Sequence, residues 1–246
     1  MVSSDARIRV GCSGWHYDDW RVRVYPAGLA RSGWLSYYNG IFDTVELNNT
    51  FYRLPGESAI ARWFEVTGSE FVFAVKGSRY ITHVRQLKGV EAAVKEFMER
   101  LTALGSKLGP VLWQLPPRMS RDDSCLEAFL RLLPRSPRNV IEFRHVSWRN
   151  EDIYSLLRTY GVAACLVDTP DFRSPAIATT DFIYVRFHGA DSLYSGNYGH
   201  ERLERWAVDI RDLSQGVRPV YVYFNNDVNA YAVDNALTLR RLLVAP

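Results

Sequence analysis

The chain has 246 residues, of which 47% are hydrophobic and 23% charged, and its formal net charge is +3. This length and balance suit one globular domain of barrel size and exclude disordered, collagen-like and disulfide-stapled miniature proteins. So small a net charge also argues against a protein that attracts nucleic acid through bulk electrostatics.

Short segments rich in Val, Ile, Phe and Tyr recur along the chain and predict eight β-strands. In chain order, these strands are predicted at 8–13, 44–48, 71–76, 110–114, 139–144, 162–168, 182–188 and 219–225. The segments between them have helical spacing and capping residues, and predict helices at 33–40, 57–67, 90–104, 125–133, 151–160, 201–213 and 228–243. Only the segment at 169–181 is too short and too broken by proline for a full helix.

A strand and helix unit repeated in this way predicts a (β/α)8 TIM-type barrel that spans residues 1–246 as a single domain. A doubly wound open sheet is the main alternative. No apolar run approaches the roughly 18 residues that a membrane span needs, so we expect no membrane association. Residues 1–9 lack the apolar core of a secretory signal, which predicts a cytoplasmic location. The cysteines Cys12, Cys125 and Cys165 lie far apart with no CxxC pair, so neither a zinc site nor a disulfide framework is indicated. We also expect no cofactor.

Polar side chains stand at the carboxyl ends of the second to eighth predicted strands, where the ligand site of a barrel lies. Counting with a period of two, one face of these strands collects Glu46, Asn48, Lys76, Gln114, Glu142, Arg144, Asp168, Arg186, His188, Asn225 and Asp227. Because buried charge is unfavourable unless it is paired, we expect these side chains to share one functional cavity. The structural alternative is that Glu142 pairs with Lys76 or Arg186, and that Asn226 or Asp227 caps the last helix.

The loops after these strands are rich in aromatic residues, which suit stacking against a planar ring or a sugar. They are Trp15, Tyr17, Trp20, Phe51, Tyr52, Tyr80, Trp148, Tyr194 and Tyr198, and at least half of them are expected to pack over the barrel mouth instead. Basic residues occupy the same loops and indicate a ligand with phosphate or carboxylate groups. The basic residues are Arg53, Arg79, His83, Arg85, Lys88, Arg118, Arg144, Arg149 and Arg186. Of these, Arg85, Lys88 and Arg118 are expected to be solvated surface charges.

Ordered motifs along the chain carry a family resemblance. They are GCSGW at 11–15, VELNNTFYRLP at 45–55, FAVK at 73–76, ITH at 81–83, LWQLPP at 112–117, EFRH at 142–145, VRFHG at 185–189 and YFNND at 223–227. The chain resembles the YecE-like family, a domain-of-unknown-function family, over nearly its whole length. The resemblance implies a TIM-type barrel and no established reaction. Asn49 stands where the family usually has serine.

The leading functional hypothesis is an enzyme, a hydrolase or lyase, that acts by acid–base chemistry on a small anionic ligand bearing phosphate or carboxylate, a class that includes nucleotide-like ligands. Glu142 or Asp168 would be the general acid or base. Lys76 is favoured as a charge-stabilising group over a Schiff-base nucleophile, because nearby carboxylates would raise its pKa. The expected ligand-binding residues are Glu46, Asn48, Gln114, Arg144, Arg186, His188, Asn225, Trp15 and Tyr52.

Three alternatives stay open at this stage. The first is metal-assisted phosphodiester hydrolysis, whose ligands would be Glu46, Glu142, Asp168, His188 and Asp227. It lacks HxH or HExxH spacing, and the neighbouring cations would repel a metal ion, so no metal residue is assigned. The second is a non-catalytic nucleic-acid or nucleotide binding module that uses aromatic stacking and basic loops. The third is a glycosidase pair of Glu142 and Asp168, ranked lower because arginines crowd the same strand ends.

Overall fold

The computed structural model describes residues 8–215 and 219–244. Within these residues the strands are β1 (Ile8–Cys12), β2 (Thr44–Leu47), β3 (Val72–Lys76), β4 (Leu108–Gln114), β5 (Asn139–Glu142), β6 (Ala163–Ala164), β7 (Leu166–Thr169), β8 (Phe172–Arg173), β9 (Ile183–Phe187) and β10 (Val220–Phe224). The α-helices are α1 (Trp34–Asn39), α2 (Glu57–Val66), α3 (Glu91–Leu101), α4 (Asp123–Leu130), α5 (Glu151–Tyr160), α6 (His200–Ser214) and α7 (Tyr231–Val244).

Every predicted strand and helix is confirmed within a few residues at each end. The predicted sixth strand is present as two pieces, β6 and β7, on either side of Cys165. The segment at 169–181 forms no helix, as expected, and instead carries β8, which pairs antiparallel with β7. Residues 1–7, which the prediction about a secretory signal mainly concerns, lie outside the described residues.

Local chemistry explains where several helices begin and end. The side chain of Asp122 accepts a hydrogen bond from the Cys125 amide at 3.0 Å and so caps the start of α4. Asn150 caps α5 in the same way through the amide of Asp152, at 2.8 Å. Helix α5 ends at Gly161, whose φ of 65° lies in the left-handed region that glycine adopts without strain.

The chain forms two compact units, and it passes from the first to the second within β2, after Glu46. The first unit comprises residues 1–46 and 166–246. Its sheet has the order β1-β10-β9-β7-β8, and all pairs except β7 with β8 are parallel. On the helix side of this sheet, Phe187 stacks on Phe224 at 4.3 Å between ring centroids and contacts Trp206 of α6 at 5.3 Å. This aromatic packing buries one face of the sheet against its helices.

The second unit comprises residues 47–165 and contains the parallel strands β3, β4, β5 and β6 in that order. Trp113 of β4 packs between Phe97 of α3 and Phe129 of α4, with ring centroids 5.5 and 5.3 Å apart. The opposite face of the same strand carries Leu112 and Gln114, in register with Lys76 and Glu142 respectively. Polar side chains therefore follow apolar ones toward the carboxyl ends of these strands.

Parallel strands alternate with helices in both units, which confirms the predicted α/β fold class of the (β/α)8 TIM type. That the whole chain is a single domain stays a prediction. No helix within the described ranges is both long enough and apolar enough to cross a membrane.

Candidate functional site

The strand register of the first unit brings polar residues together at one edge of its sheet. Cys12 lies beside Phe224, and Phe224 beside Phe187, so the next residues, Ser13, Asn225 and His188, stand side by side where β1, β10 and β9 end. Backbone hydrogen bonds continue to this level, since the amides of Ser13 and Asn225 donate to the carbonyls of Phe224 and Phe187 at 2.8 Å. This is the edge at which open and closed parallel sheets bind ligands.

Glu46 is the centre of a buried hydrogen-bonded group in this unit. Its Oε1 accepts hydrogen bonds from Ser13 Oγ at 2.8 Å and from an Arg186 guanidinium nitrogen at 2.7 Å. Its Oε2 accepts one from the Tyr184 hydroxyl at 2.6 Å. The side chains of Glu46 and Arg186 are both 0% exposed, so each charge is compensated by the other inside the protein. We call Ser13, Glu46, Tyr184 and Arg186 the Glu46 cluster.

His188 and Asn225 lie next to the Glu46 cluster and are also buried. The Nε2 atom of His188 is 3.4 Å from an Arg186 nitrogen, and its Nδ1 atom is 3.5 Å from the side-chain nitrogen of Asn225. The predicted ligand-binding residues Glu46, Arg186, His188 and Asn225 are thus brought together. One guanidinium nitrogen of Arg186 is occupied by Glu46, and whether Arg186 also binds a ligand stays a prediction.

The predicted position of Asp168 is wrong. Asp168 lies in register with Phe187, whereas Val167 lies in register with Arg186, so Asp168 points to the opposite face from Arg186 and His188. There its carboxylate accepts hydrogen bonds from Arg202 and from the indole of Trp206, both on α6. The alternation rule, counted back from the predicted strand end, placed Asp168 on the wrong face of its strand. Its contacts favour a role in holding α6 on the sheet.

Asp227 follows β10, and its carboxyl group has a raised pKa. Burial raises the pKa of Asp227 to about 8, although a hydrogen bond with Tyr17 lowers it and Glu46 raises it further. Its Oδ1 atom is buried and makes no hydrogen bond to any described residue. The alternative that Asp227 caps the following helix is wrong, because its side chain makes no capping hydrogen bond to the turn at Val228–Ala230.

In the second unit, the predicted residues Lys76, Gln114, Glu142 and Arg144 stand where β3, β4 and β5 end. Gln114 lies in register with Glu142, and both side chains are buried. Glu142 forms an ion pair with Arg144, whose side chain is 11% exposed, and its Oε2 atom is 3.9 Å from Cys165 Sγ. Arg144 is therefore the ion-pair partner observed for Glu142 within this unit.

A histidine surrounded by cations lies beside these strand ends. His83 is on a π-helical turn, Tyr80–Val84, directly after β3, and single π turns are frequent at functional sites. Partial burial, and after it the positive charges of Lys76, Arg79, Arg118 and Arg144, together lower the pKa of His83 to about 4. We call these five residues the His83 cluster. A strongly positive potential of this kind attracts anions.

Arg79 and Arg118 complete the His83 cluster from the solvent side. Both side chains are exposed, and neither forms an ion pair with any residue in the described part of the chain. Arg118 is exposed, as predicted for a solvated surface charge, and its positive charge also contributes to the lowered pKa of His83. Lys88 does match that prediction, since it makes an exposed pair with Asp122 at 3.8 Å.

Phe51 connects the His83 cluster to the loop after β2. The Lys76 ammonium lies over its ring at 4.4 Å from the centroid, and the His83 ring meets its edge at 4.9 Å. The loop is fixed by Thr50, whose hydroxyl lies 2.8 Å from the Leu47 carbonyl and 2.7 Å from that of Lys76. Asn48, a predicted ligand-binding residue, is half-buried at the start of this loop.

The aromatic residues of the loops divide into packed and open rings. Five are buried, namely Trp15, Trp20, Phe51, Trp148 and Tyr198. Trp15 was predicted to bind ligand, and its ring instead lies inside the first unit, next to His16. Tyr52 is 80% exposed and Tyr80 is 50% exposed, so these rings are open to a ligand.

For the metal-assisted alternative, the described part of the chain offers no suitable set of metal-binding side chains. Those residues contain no group of three or more His, Cys, Asp or Glu side chains placed to hold one metal ion. Three of the five candidate ligands considered from sequence form ion pairs with arginine: Glu46 pairs with Arg186, Glu142 with Arg144 and Asp168 with Arg202.

Sequence reasoning placed His83 and Arg79 in a basic loop but gave neither a central role. The available signal was the position of SRYITH directly after the Lys76 strand end. The π turn that aims His83 at the strand ends has no sequence signature, and the approach of Arg118 depends on the path of the loop after β4. That all predicted strand-end residues of both units share one cavity stays a prediction.

The comparisons with known proteins agree with the motifs. A family model described as "Protein of unknown function DUF72" matches residues 9–246. The UPF0759 protein YunF of Bacillus subtilis (strain 168) is 27% identical over 270 residues, covering 96% of this chain and 94% of its own. The UPF0759 protein YecE of Escherichia coli (strain K12) is 32% identical over 258 residues, covering 94% of this chain and 91% of its own.

Solved structures are similar over the same extent. A DUF72 family protein (TM1631) from Thermotoga maritima MSB8 superposes with a TM-score of 0.90 at 31% identity, covering 97% of this chain and all of its own. A DUF72 family protein (EF0366) from Enterococcus faecalis V583 has a TM-score of 0.83 at 20% identity, covering 97% of this chain and 96% of its own. The second likeness supports the fold alone.

Proposed function

This chain belongs to the DUF72 family of proteins of unknown function, and on that premise we propose that it binds a small phosphate- or carboxylate-bearing ligand at the His83 cluster and acts on it by acid–base chemistry. The observation that carries the proposal is the grouping of Lys76 and His83 against the Phe51 ring, at 4.4 and 4.9 Å from its centroid, with the charges of Arg79, Arg118 and Arg144 also acting on His83. Positive groups placed this close together repel one another, and a bound anion relieves that repulsion.

The residues of the His83 cluster have different expected roles. Arg79 and Arg118 are exposed and would meet the anion first, because a guanidinium can bind a phosphate or carboxylate through two parallel hydrogen bonds. Lys76 is held over the Phe51 ring and would contribute a fixed positive charge. His83, neutral at pH 7, would gain hydrogen-bonding strength when the bound anion favours its protonation.

Glu142 is the carboxylate that we assign to proton transfer. It is buried and forms an ion pair with Arg144, so it stands beside the group of cations that would hold the ligand. In this arrangement Arg144 orients Glu142, and Glu142 accepts a proton from the nucleophile or from the ligand itself. The chemistry is that of a hydrolase or a lyase. Asp168 has no part in it, because its carboxylate binds Arg202 and Trp206.

Calorimetric titration with inorganic phosphate, pyrophosphate and citrate at low ionic strength tests the binding step. We expect wild-type protein to bind at least one of them, and Arg79→Ala and Arg118→Ala each to weaken that binding about tenfold. Arg135→Ala is the matched control, because Arg135 is exposed in the same unit but precedes β5, at the amino ends of the strands. Wild-type protein that binds none of the three anions would overturn the proposal, as would equal losses in all three variants.

Turnover of a panel of phosphate monoesters and carboxylate esters tests the catalytic step. Glu142→Gln should lower kcat about 10²- to 10⁴-fold, the usual contribution of a general acid or base. It should leave KM within a few-fold, because it removes no cation from the His83 cluster. A Glu142→Gln variant with wild-type kcat would remove Glu142 from the mechanism while leaving the binding proposal intact.

A further inference from the structure

The ring of Tyr52 is unusual among the aromatic residues of the second unit because it is exposed although its loop is well anchored. It is 80% exposed, yet it directly follows buried Phe51 and meets the Phe51 ring edge to face at 5.0 Å. The Thr50 hydroxyl, with one proton to donate, lies within hydrogen-bond distance of carbonyls in β2 and at the end of β3, which anchors the preceding turn. The Tyr52 ring is therefore exposed to solvent although the backbone that carries it is well anchored.

The support of Tyr52 is shared with the His83 cluster. The same Phe51 ring that contacts Tyr52 also contacts the Lys76 ammonium and the His83 ring. One buried ring thus separates an open aromatic face from the groups that would hold an anion. Tyr80, 50% exposed, is on the π turn that carries His83, and adds a second open ring on this side.

We propose that the ligand of the His83 cluster carries a planar unsaturated ring next to its anionic group, and that this ring stacks on Tyr52. The inference rests on the proposed function, since the anion is what places the ring. Stacking on an exposed aromatic face is tolerant of the identity of the ring, so the ligand class is aryl or nucleobase phosphates and carboxylates rather than one compound.

The anion and ring contributions can be separated by comparing methyl phosphate with phenyl phosphate, which share the anionic group and differ in the ring. We expect wild-type protein to bind phenyl phosphate about tenfold more tightly than methyl phosphate in calorimetric titrations. Tyr52→Ala should abolish this preference and leave the affinity for methyl phosphate unchanged. Tyr52→Phe should keep the preference, because it retains the ring face and removes only the hydroxyl.

Tyr37→Ala is the matched control, because Tyr37 is an exposed tyrosine on α1 in the first unit. It should bind both phosphates as wild-type protein does. Failure of both phosphates to bind wild-type protein would contradict the proposed function itself. Equal affinity for the two phosphates in wild-type protein would overturn the ring inference alone, as would a preference for phenyl phosphate that survives in Tyr52→Ala.

Discussion

The two units of this protein use charged side chains in opposite ways. In the first unit, Glu46 and Arg186 are fully buried and satisfy each other, and Asp168 is satisfied by Arg202 and Trp206. In the second unit, the cations around His83 gather on one side, and Arg79 and Arg118 among them are exposed. The difference teaches that a polar residue at a strand end is not by itself evidence of a binding site. What matters is whether its charge is already compensated inside the protein.

The largest effect should come from breaking the buried pair of the first unit. Arg186→Met leaves Glu46 buried without its cation, so we expect the free energy of unfolding to fall by about 3–5 kcal/mol in guanidinium chloride denaturation. Asp43→Asn is the control, because it removes the partner of Arg9 in a pair whose carboxylate is 43% exposed. That loss should be about 1 kcal/mol or less. Equal losses would contradict the view that the Glu46 cluster is structural.

The next largest effect is a pH dependence of the free energy of unfolding, which distinguishes Asp227 from carboxylates held in ion pairs. The pKa of Asp227 is raised from its ordinary 3.8 to about 8, so the unfolded chain releases this proton at lower pH than the folded protein does. Stability from this group is therefore complete below pH 4 and is lost as pH rises to 8. Between pH 6 and pH 8 the free energy of unfolding should fall by up to about 1.4 kcal/mol per pH unit.

Asp227→Asn removes this ionisation and should therefore remove this fall of the free energy of unfolding with rising pH. Unfolding measured by chemical denaturation at pH 6, 7 and 8 compares the two proteins directly. If wild-type protein and Asp227→Asn have parallel stability profiles, Asp227 is an ordinary carboxylate and the first unit contains no perturbed acid at this position.

A smaller effect is expected when an anion binds, namely a rise of about one unit or more in the pKa of His83. Because the folded pKa lies near 4, below the ordinary 6.5, His83 contributes stability above pH 6.5 that is lost as pH falls through 4. Bound phosphate offsets the surrounding cations and should raise the His83 pKa, which a proton NMR titration with and without phosphate would follow. The resonance of His200, exposed on α6, serves as the internal reference. A His83 titration curve that phosphate does not move would place the anion elsewhere.

The smallest stability effect should belong to Arg118→Ala. Because Arg118 is exposed and makes no ion pair among the described residues, its removal should change the free energy of unfolding by less than about 0.5 kcal/mol. The same variant should raise the pKa of His83 in the NMR titration, since one of the four cations is gone. A large loss of stability without a change in the pKa of His83 would show that Arg118 supports the fold and does not act on His83.

The fold was largely readable from the sequence because its signals are local. Buried strands such as Val220–Phe224 are apolar along their whole length, and capping residues such as Asp122 and Asn150 mark helix starts within one turn. The strand ends, and hence Glu46, Lys76, Glu142 and Arg186 as their polar residues, follow from the same pattern. The break at Cys165 and the hairpin of β7 and β8 were not readable, because they depend on neighbouring strands.

By itself, the sequence determined the α/β class, the order of the elements and which residues stand at the carboxyl ends of the strands. Only the tertiary structure decided what those residues do. Register with β9 turned Asp168 toward α6, pairing withdrew Arg186 into the interior, and a π turn with the loop after β4 brought His83 and Arg118 together. Compensation of charge depends on distances between segments far apart in the chain, and periodicity along one strand carries no information about them.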